Sequence, residues 1–236
     1  MNLYFVLEGE QTEKQAYPFW LGALLPNLTQ AKRLNEVTQN HYYLFAGGGI
    51  PAIYTHIKNA ILTINEAENP KFNYLVAVLD CDELSAEQRK TKLLSFLEQE
   101  KTALRNGCEL VIIAQTPCIE TWFLGNRPIV KRNPENQTFK EYYNFYKVNE
   151  NCPEKMPTFG VFKQKSLFHF KYLREMLAEH AISYSKNNPF AVLNQNYLQE
   201  LQKRTNEAND LPSLRHFFDF LTKISNEMRE NKTDYI

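Results

Sequence analysis

The chain has 236 residues, enough for one large core or a domain with an appendage, and its 27 Lys and Arg balance 27 Asp and Glu, so net charge favours no class of partner. Cys81, Cys108, Cys118 and Cys152 form no C-x-x-C pair and stand at no zinc-finger spacing from a histidine, which argues against a structural zinc or a disulfide framework and for reduced thiols. No apolar run approaches the ~20 residues of a membrane helix, and the N-terminus has no signal-like region, so no membrane association and a cytoplasmic location are expected.

Leu3 to Leu7 is a short apolar run of strand formers punctuated by Gly9, and it delivers Glu8, Glu10 and Glu13 into the following turn. Thr12 with Gln15 three residues on has the form of a capping box, so a helix is expected from Glu13 to about Leu25, where Pro26 stops it. Tyr42 to Ala46 is the second strand-like run. It leads into Gly47-Gly48-Gly49 and a helical pattern from Pro51 to about Ala67. Glycines between a strand and a helix let backbone N–H groups approach a phosphate, which makes Gly48 and Gly49 candidates. A plain tight turn is the competing reading, because the spacing is neither a Walker A loop nor G-x-G-x-x-G.

Tyr74 to Leu79 is a continuous apolar run of the kind buried on both faces of a parallel sheet, and it ends in Asp80, Asp82 and Glu83. Ser85 and Gln88 form another capping box, for a helix expected to reach about Arg105 and to end at Asn106-Gly107. Glu109 to Ala114 is a fourth strand, and Thr116-Pro117 opens a short helix bearing Glu120. Strands alternating with helices predict an α/β fold, with a parallel four-stranded sheet and helices on both faces over residues 1–126. Beyond Arg127 only helical patterns recur, at about 137–148, 166–181, 193–207 and 212–230, giving a helical C-terminal region over 127–236 packed on the first domain.

In open parallel sheets ligands bind beyond the carboxyl ends of the strands, so Glu8, Asp80 and Asp82 are expected to converge there. Residues two apart in extended chain face one side, and Asp-x-Asp would thus offer two carboxylates to one ion. Clustered carboxylates repel unless a cation or a shared proton offsets them, which makes Mg²⁺ or Mn²⁺ the expected cofactor. The competing reading makes Asp82 or Glu83 a charge at the N-terminus of the next helix. Glu10 and Glu13 could stand behind the metal ligands, and Glu13 also suits the start of a helix, where the dipole stabilises a negative charge. Glu120 either completes the metal shell or serves its own short helix.

Residues 1–125 hold ten basic and fourteen acidic side chains and the remainder seventeen and thirteen, a division that suits a metal enzyme acting on a polyanion. From Arg127 to Lys171 nine Lys and Arg stand against four Glu, with Tyr142, Tyr143, Phe145, Phe159, Phe162 and Phe168 among the interleaved rings. Lys131, Arg132, Lys163 and Lys165 are candidate phosphate contacts to DNA or RNA, tRNA included. The competing reading places most of the rings in the core of the helical region. No G-x-S-x-G elbow and no helical i, i+4 histidine pair supports nucleophilic or His-zinc hydrolysis.

Three segments taken together, Glu8-Gly-Glu-x-Thr-Glu13, Asp80-Cys-Asp82-Glu83 and Thr116-Pro-Cys-Ile-Glu120-Thr-Trp-Phe-Leu, resemble the Toprim superfamily, and within it the RloB-like and related bacterial Toprim proteins. The resemblance covers roughly residues 1–125. It implies a Toprim-like parallel sheet in which Glu8 matches the general acid or base, Asp80 and Asp82 match the Mg²⁺-holding pair, and Glu120 matches the acid of the third segment. Thr116 stands where the family has Asn, and Ile119 where it tends to have an aromatic residue. With no primase zinc ribbon and no topoisomerase tyrosine domain, the resemblance implies a Mg²⁺-dependent nuclease of anti-phage defence. Its ATP dependence would come from an ABC- or AAA-type ATPase partner, since the chain has no Walker A loop of its own. The alternative is a non-catalytic Toprim-fold module docking on an ATPase or nucleic acid.

Overall fold

The computed structural model describes residues 1–66, 71–105, 107–208 and 210–233, with side chains through residue 230. Five strands, β1 (Asn2–Leu7), β2 (Thr29–Ala31), β3 (His41–Ala46), β4 (Tyr74–Asp80) and β5 (Glu109–Gln115), form one sheet in the order β2-β3-β1-β4-β5. β1 lies parallel to both β3 and β4, with Leu7 opposite Ala46 on one side and Val78 on the other, and β2 lies parallel to β3. β5 runs the same way beside β4. The Glu109 N–H donates to Asn73 O at 2.9 Å at one end, and the Cys81 N–H donates to Gln115 O at 2.8 Å at the other.

The sheet therefore has five strands where four are expected. The added strand, β2, is three residues long with two of them exposed, so it carries neither an apolar run nor a period-2 pattern.

The chain divides into two compact units that do not follow its order. The first comprises residues 1–79, 87–114 and 219 onward; the second comprises 80–86 and 115–218. The boundary expected at 126 is displaced because Trp122 and Phe123, on a short helix, are fully buried within the second unit, while the last helix returns to the first.

In the first unit, α1 (Thr12–Leu24), α2 (Ala52–Asn65) and α3 (Ala86–Gln99) succeed the first, third and fourth strands. Alternation along the strands decides which face each helix covers. Tyr4, Val6, Leu75, Ala77 and Leu79 point to the face where Ile53, Ile57 and Ile61 of α2 pack with Leu93 and Leu97 of α3. The opposite face meets α1, with the Phe5 and Tyr17 rings 5.9 Å apart, and the C-terminal helix, with Tyr74 and Phe220 5.5 Å apart. β1 is buried along its whole length, as its unbroken apolar sequence requires.

Two helix ends differ from expectation. Thr12 is the first residue of α1 rather than its cap, and Gln15 Nε2 donates to Gln11 O at 3.1 Å in place of a capping box. α3 stops at Gln99, where Lys101 takes φ +50° and the Thr102 N–H returns to Leu97 O at 2.9 Å, a left-handed C-terminal turn. Ala67 and Asn106, expected at helix ends, lie outside the described residues.

The second unit holds α4 (Ile119–Phe123), α5 (Gln137–Phe145), α6 (Lys165–Ala178) and α7 (Gln195–Glu207), and α8 (Pro212–Thr233) begins within it. Its core is aromatic. Phe168 lies 5.2 Å from Tyr142, 5.3 Å from Phe162 and 5.6 Å from Phe159, and Trp122 stacks on Phe217 at 5.8 Å. Tyr142, Phe168, Trp122 and Phe217 are buried, and Phe159 and Phe162 lie half-buried beside them. His169 belongs to the same interior. Its ring bridges Thr121 Oγ1 at 2.9 Å and Met156 O at 3.2 Å, and burial lowers its pKa to about 3. Among the described residues no helix is long and apolar enough to cross a membrane.

Candidate functional site

Glu8 is the first residue beyond β1, and its N–H donates to Val78 O at 3.1 Å, continuing the ladder one step past the strand. Glu13 folds back so that its carboxylate lies directly over the Gly9 Cα, where any Cβ would clash with it. Glu13 is 6% exposed at the start of α1, so its negative charge faces the positive end of that helix.

Glu10 is engaged differently. Its Oε1 accepts the Gly48 N–H at 3.0 Å, and Gly48 adopts φ +59°. A carboxylate thus already accepts from the amide that a phosphate at this glycine turn would need. Gly49 closes the turn onto α2, its carbonyl accepting the Ile53 N–H at 3.1 Å.

In the second unit, residues 80–82 run beside 115–117. The Cys81 N–H reaches Gln115 O at 2.8 Å and the Asp82 N–H reaches Pro117 O at 3.0 Å. Asp80 closes the strand, but Asp82 has φ +51° and is exposed, so the chain is no longer extended there. The same-face argument for Asp80 and Asp82 fails for that reason: alternation holds only while the backbone stays in the β region. Glu83 belongs to a helix terminus. Its Oε1 accepts the N–H of Lys165, the first residue of α6, at 2.7 Å.

Asp80 and Glu120 bear on one common group. Both carboxylates act on the fully buried Cys118 thiol, whose pKa is pushed well above its ordinary value by burial first and then by the negative charges of Glu120 and Asp80. Glu120 is 0% exposed. Its Oε1 accepts the Tyr184 hydroxyl at 3.4 Å and lies 3.7 Å from Lys186 Nζ, while Oε2 is buried with no hydrogen-bond partner among the described residues. Among the described residues no group of three His, Cys, Asp or Glu is placed to hold a metal ion.

Of the basic candidates, Lys131 is already held by acids, 2.9 Å from Glu135 and 3.3 Å from Glu179, and these hydrogen bonds raise its pKa. Arg132 lines a cavity with Arg127 and Lys203. Lys163 is exposed and Lys165 half-buried. Cys118, Tyr184 and Lys186 have no signal in the sequence that would tie them to Glu120, because two of the three lie more than sixty residues from it. No protein-family model, curated protein or solved structure matches the chain.

Proposed function

We propose that the chain is a Toprim-like nuclease that cleaves phosphodiester bonds in DNA or RNA with Mg²⁺ or Mn²⁺. The observation that carries this reading is the fully buried Glu120, whose Oε2 has no hydrogen-bond partner among the described residues, with Asp80 near enough to raise the pKa of the same Cys118 thiol. Glu120 is fully buried and Asp80 half-buried, a cation or a shared proton offsets the repulsion of neighbouring carboxylates, and all-oxygen donors suit a hard divalent ion. Asp80 and Glu120 hold the ion in this reading, with the exposed Asp82 as a third carboxylate from the adjoining turn. A bound ion supplies polarisation of the phosphate and stabilisation of the leaving oxygen. Glu8 is the residue that the resemblance makes the general acid or base. ATP dependence, on this reading, comes from an ATPase partner.

The Lys186 ion pair favours a second reading. A carboxylate held by Lys186 and Tyr184 can be a structural group, and the chain would then be a non-catalytic module docking on an ATPase or nucleic acid.

Thermal melts of the parent, Asp80→Asn, Glu120→Gln and Glu8→Gln in EDTA, Mg²⁺ and Mn²⁺, paired with cleavage of labelled DNA, RNA and tRNA, separate the two. Metal raises the parent's melting temperature, since a ligand of the folded state stabilises it by RT ln(1 + [L]/Kd). Asp80→Asn and Glu120→Gln lose that rise together with cleavage, whereas Glu8→Gln keeps the rise and loses cleavage. A parent that neither gains stability from metal nor cuts any of the substrates is the module of the second reading.

A further inference from the structure

Within the second unit lies a cavity of about 330 Å³, at the small end of the range for ligand sites. One face of α7 forms a wall of it. Glu200, Lys203, Arg204 and Glu207 stand at i, i+3, i+4 and i+7 and so share a single side of the helix. Arg127, Arg132 and Asn149 are set in the rest of the lining, which contains no aromatic ring.

Part of this wall is fixed. The Arg204 side chain is 1% exposed. Its Nε and Nη2 contact Asp210 Oδ2 at 2.9 and 2.8 Å, Nη2 also donates to Asn151 O at 2.8 Å, and Nη1 donates to the Leu124 and Gly125 carbonyls at 3.4 and 3.3 Å. Arg127 Nη2 reaches the same Asp210 oxygen at 3.1 Å, so one carboxylate serves two guanidinium groups and leaves positive charge over. Arg204 is committed to the fold. Arg127, Arg132 and Lys203 are not committed in that way.

Two buried polar atoms of the lining have no hydrogen-bond partner among the described residues: Arg127 Nε and Asn149 Oδ1. A buried polar group without a partner is costly, so a ligand that satisfies both is favoured. The Arg127 guanidinium is held by Asp210 through Nη2 with its Nε–H left to donate, an arrangement suited to a phosphate oxygen. Arg132 and Lys203 add the charge that a dianion requires. Glu200 and Glu207 oppose an anion but accept hydrogen bonds from hydroxyl groups, and the Asn149 amide takes or gives one. Lacking a ring to stack on, the cavity selects neither for nor against a base.

We infer that this cavity binds a sugar phosphate, with the phosphate on Arg127, Arg132 and Lys203 and the sugar hydroxyls on Asn149, Glu200 and Glu207. The ligand is either a free sugar phosphate or the same group within a nucleotide. The site shares no residue with the Asp80–Glu120 pair, and it stands whether or not the chain cleaves nucleic acid.

Calorimetric titration of the full chain with ribose 5-phosphate, AMP, inorganic phosphate and ribose tests it, alongside spectra of the arginine Nε–H groups in ¹⁵N-labelled protein. Ribose 5-phosphate binds, ribose does not, and inorganic phosphate binds more weakly because it leaves the hydroxyl partners unused. AMP binding as tightly as ribose 5-phosphate identifies the nucleotide as a source; its exclusion identifies the free sugar phosphate. Arg132→Gln with Lys203→Gln weakens ribose 5-phosphate at least tenfold while the unliganded melting temperature stays at the parent's. The Arg127 Nε–H resonance, assigned by its loss in Arg127→Lys, moves on titration. The inference is overturned if none of the phosphates binds, if the double variant binds as the parent does, if the Arg127 resonance is unmoved at saturation, or if AMP binds and ribose 5-phosphate does not.

Discussion

Ser213 gives both its backbone N–H and its hydroxyl to Glu154 Oε1, at 3.0 and 2.7 Å, and its own hydroxyl oxygen accepts the Trp122 indole N–H at 2.7 Å. One buried acid thereby anchors the start of α8 and, through Ser213, the indole of α4. Burial raises the Glu154 pKa from 4.5 to about 7, with the Ser213 hydrogen bonds pulling the other way.

A carboxyl group whose folded pKa exceeds its unfolded one holds its proton more tightly when folded, so its contribution to stability is greatest below pH 4.5, falls as pH rises toward 7 and is gone above that. At about 1.4 kcal/mol per pKa unit the loss is on the order of 3 kcal/mol. Glu154→Gln keeps an acceptor for Ser213 but cannot ionise. Urea midpoints measured from pH 4 to pH 8 therefore decline for the parent more than for Glu154→Gln, and parallel profiles would refute the assignment.

Gly9→Ala places a methyl group against the Glu13 carboxylate. The clash is expected to cost about 1 kcal/mol, the low end for overpacking, because the carboxylate is the far end of a side chain that can turn aside. Glu13→Ala in the same chain removes the obstacle, and the double variant recovers much of the loss. A double-mutant cycle by urea denaturation reads the coupling; additive losses would mean that Gly9 is needed for its backbone alone.

Asp210→Ala leaves the Arg204 guanidinium, 1% exposed, without its carboxylate. Breaking a buried ion pair from one side typically costs about 3–5 kcal/mol, and that loss is expected in chemical denaturation. Glu135→Ala, which removes an exposed partner of Lys131, changes stability by less than about 1 kcal/mol.

If the basic stretch contacts a nucleic acid, Lys163→Gln with Lys165→Gln lowers the slope of log affinity against log salt by about two, since each phosphate contact releases nearly one counterion. Lys131→Gln leaves the slope nearly unchanged, because Glu135 and Glu179 already neutralise that charge. Filter binding from low to moderate salt measures both. A slope that falls for Lys131→Gln alone would reverse the roles.

Four strands were legible because each is a compact run of strand-forming, mostly apolar residues closed by a turn signal, and the helices beyond residue 127 were legible from their period. β2 was not, since Thr29, Gln30 and Ala31 pair with β3 through their backbone and show no pattern. The acids show the same limit in another form. Sequence placed Glu8 and Asp80 at strand ends, where they lie, but it could not reveal that Glu10 would take Gly48, thirty-eight residues away, or that Glu83 would take the N-terminus of α6, eighty-two residues away. A carboxylate's partner is set by tertiary packing, so acids of three separate motifs come to serve a glycine turn, a helix end and a buried interior.

The return of α8 to the first unit bears on biosynthesis. Tyr74, on β4, receives the Phe220 ring against its own, and its hydroxyl donates to Glu227 Oε1 at 2.8 Å. During translation β4 leaves the ribosome long before these partners do, so the part of this face that α8 covers, beside α1, stays open while the second unit is made. Chaperone capture is expected during that interval, and a ribosome stalled before Asp219 would hold a sheet that is still open to aggregation.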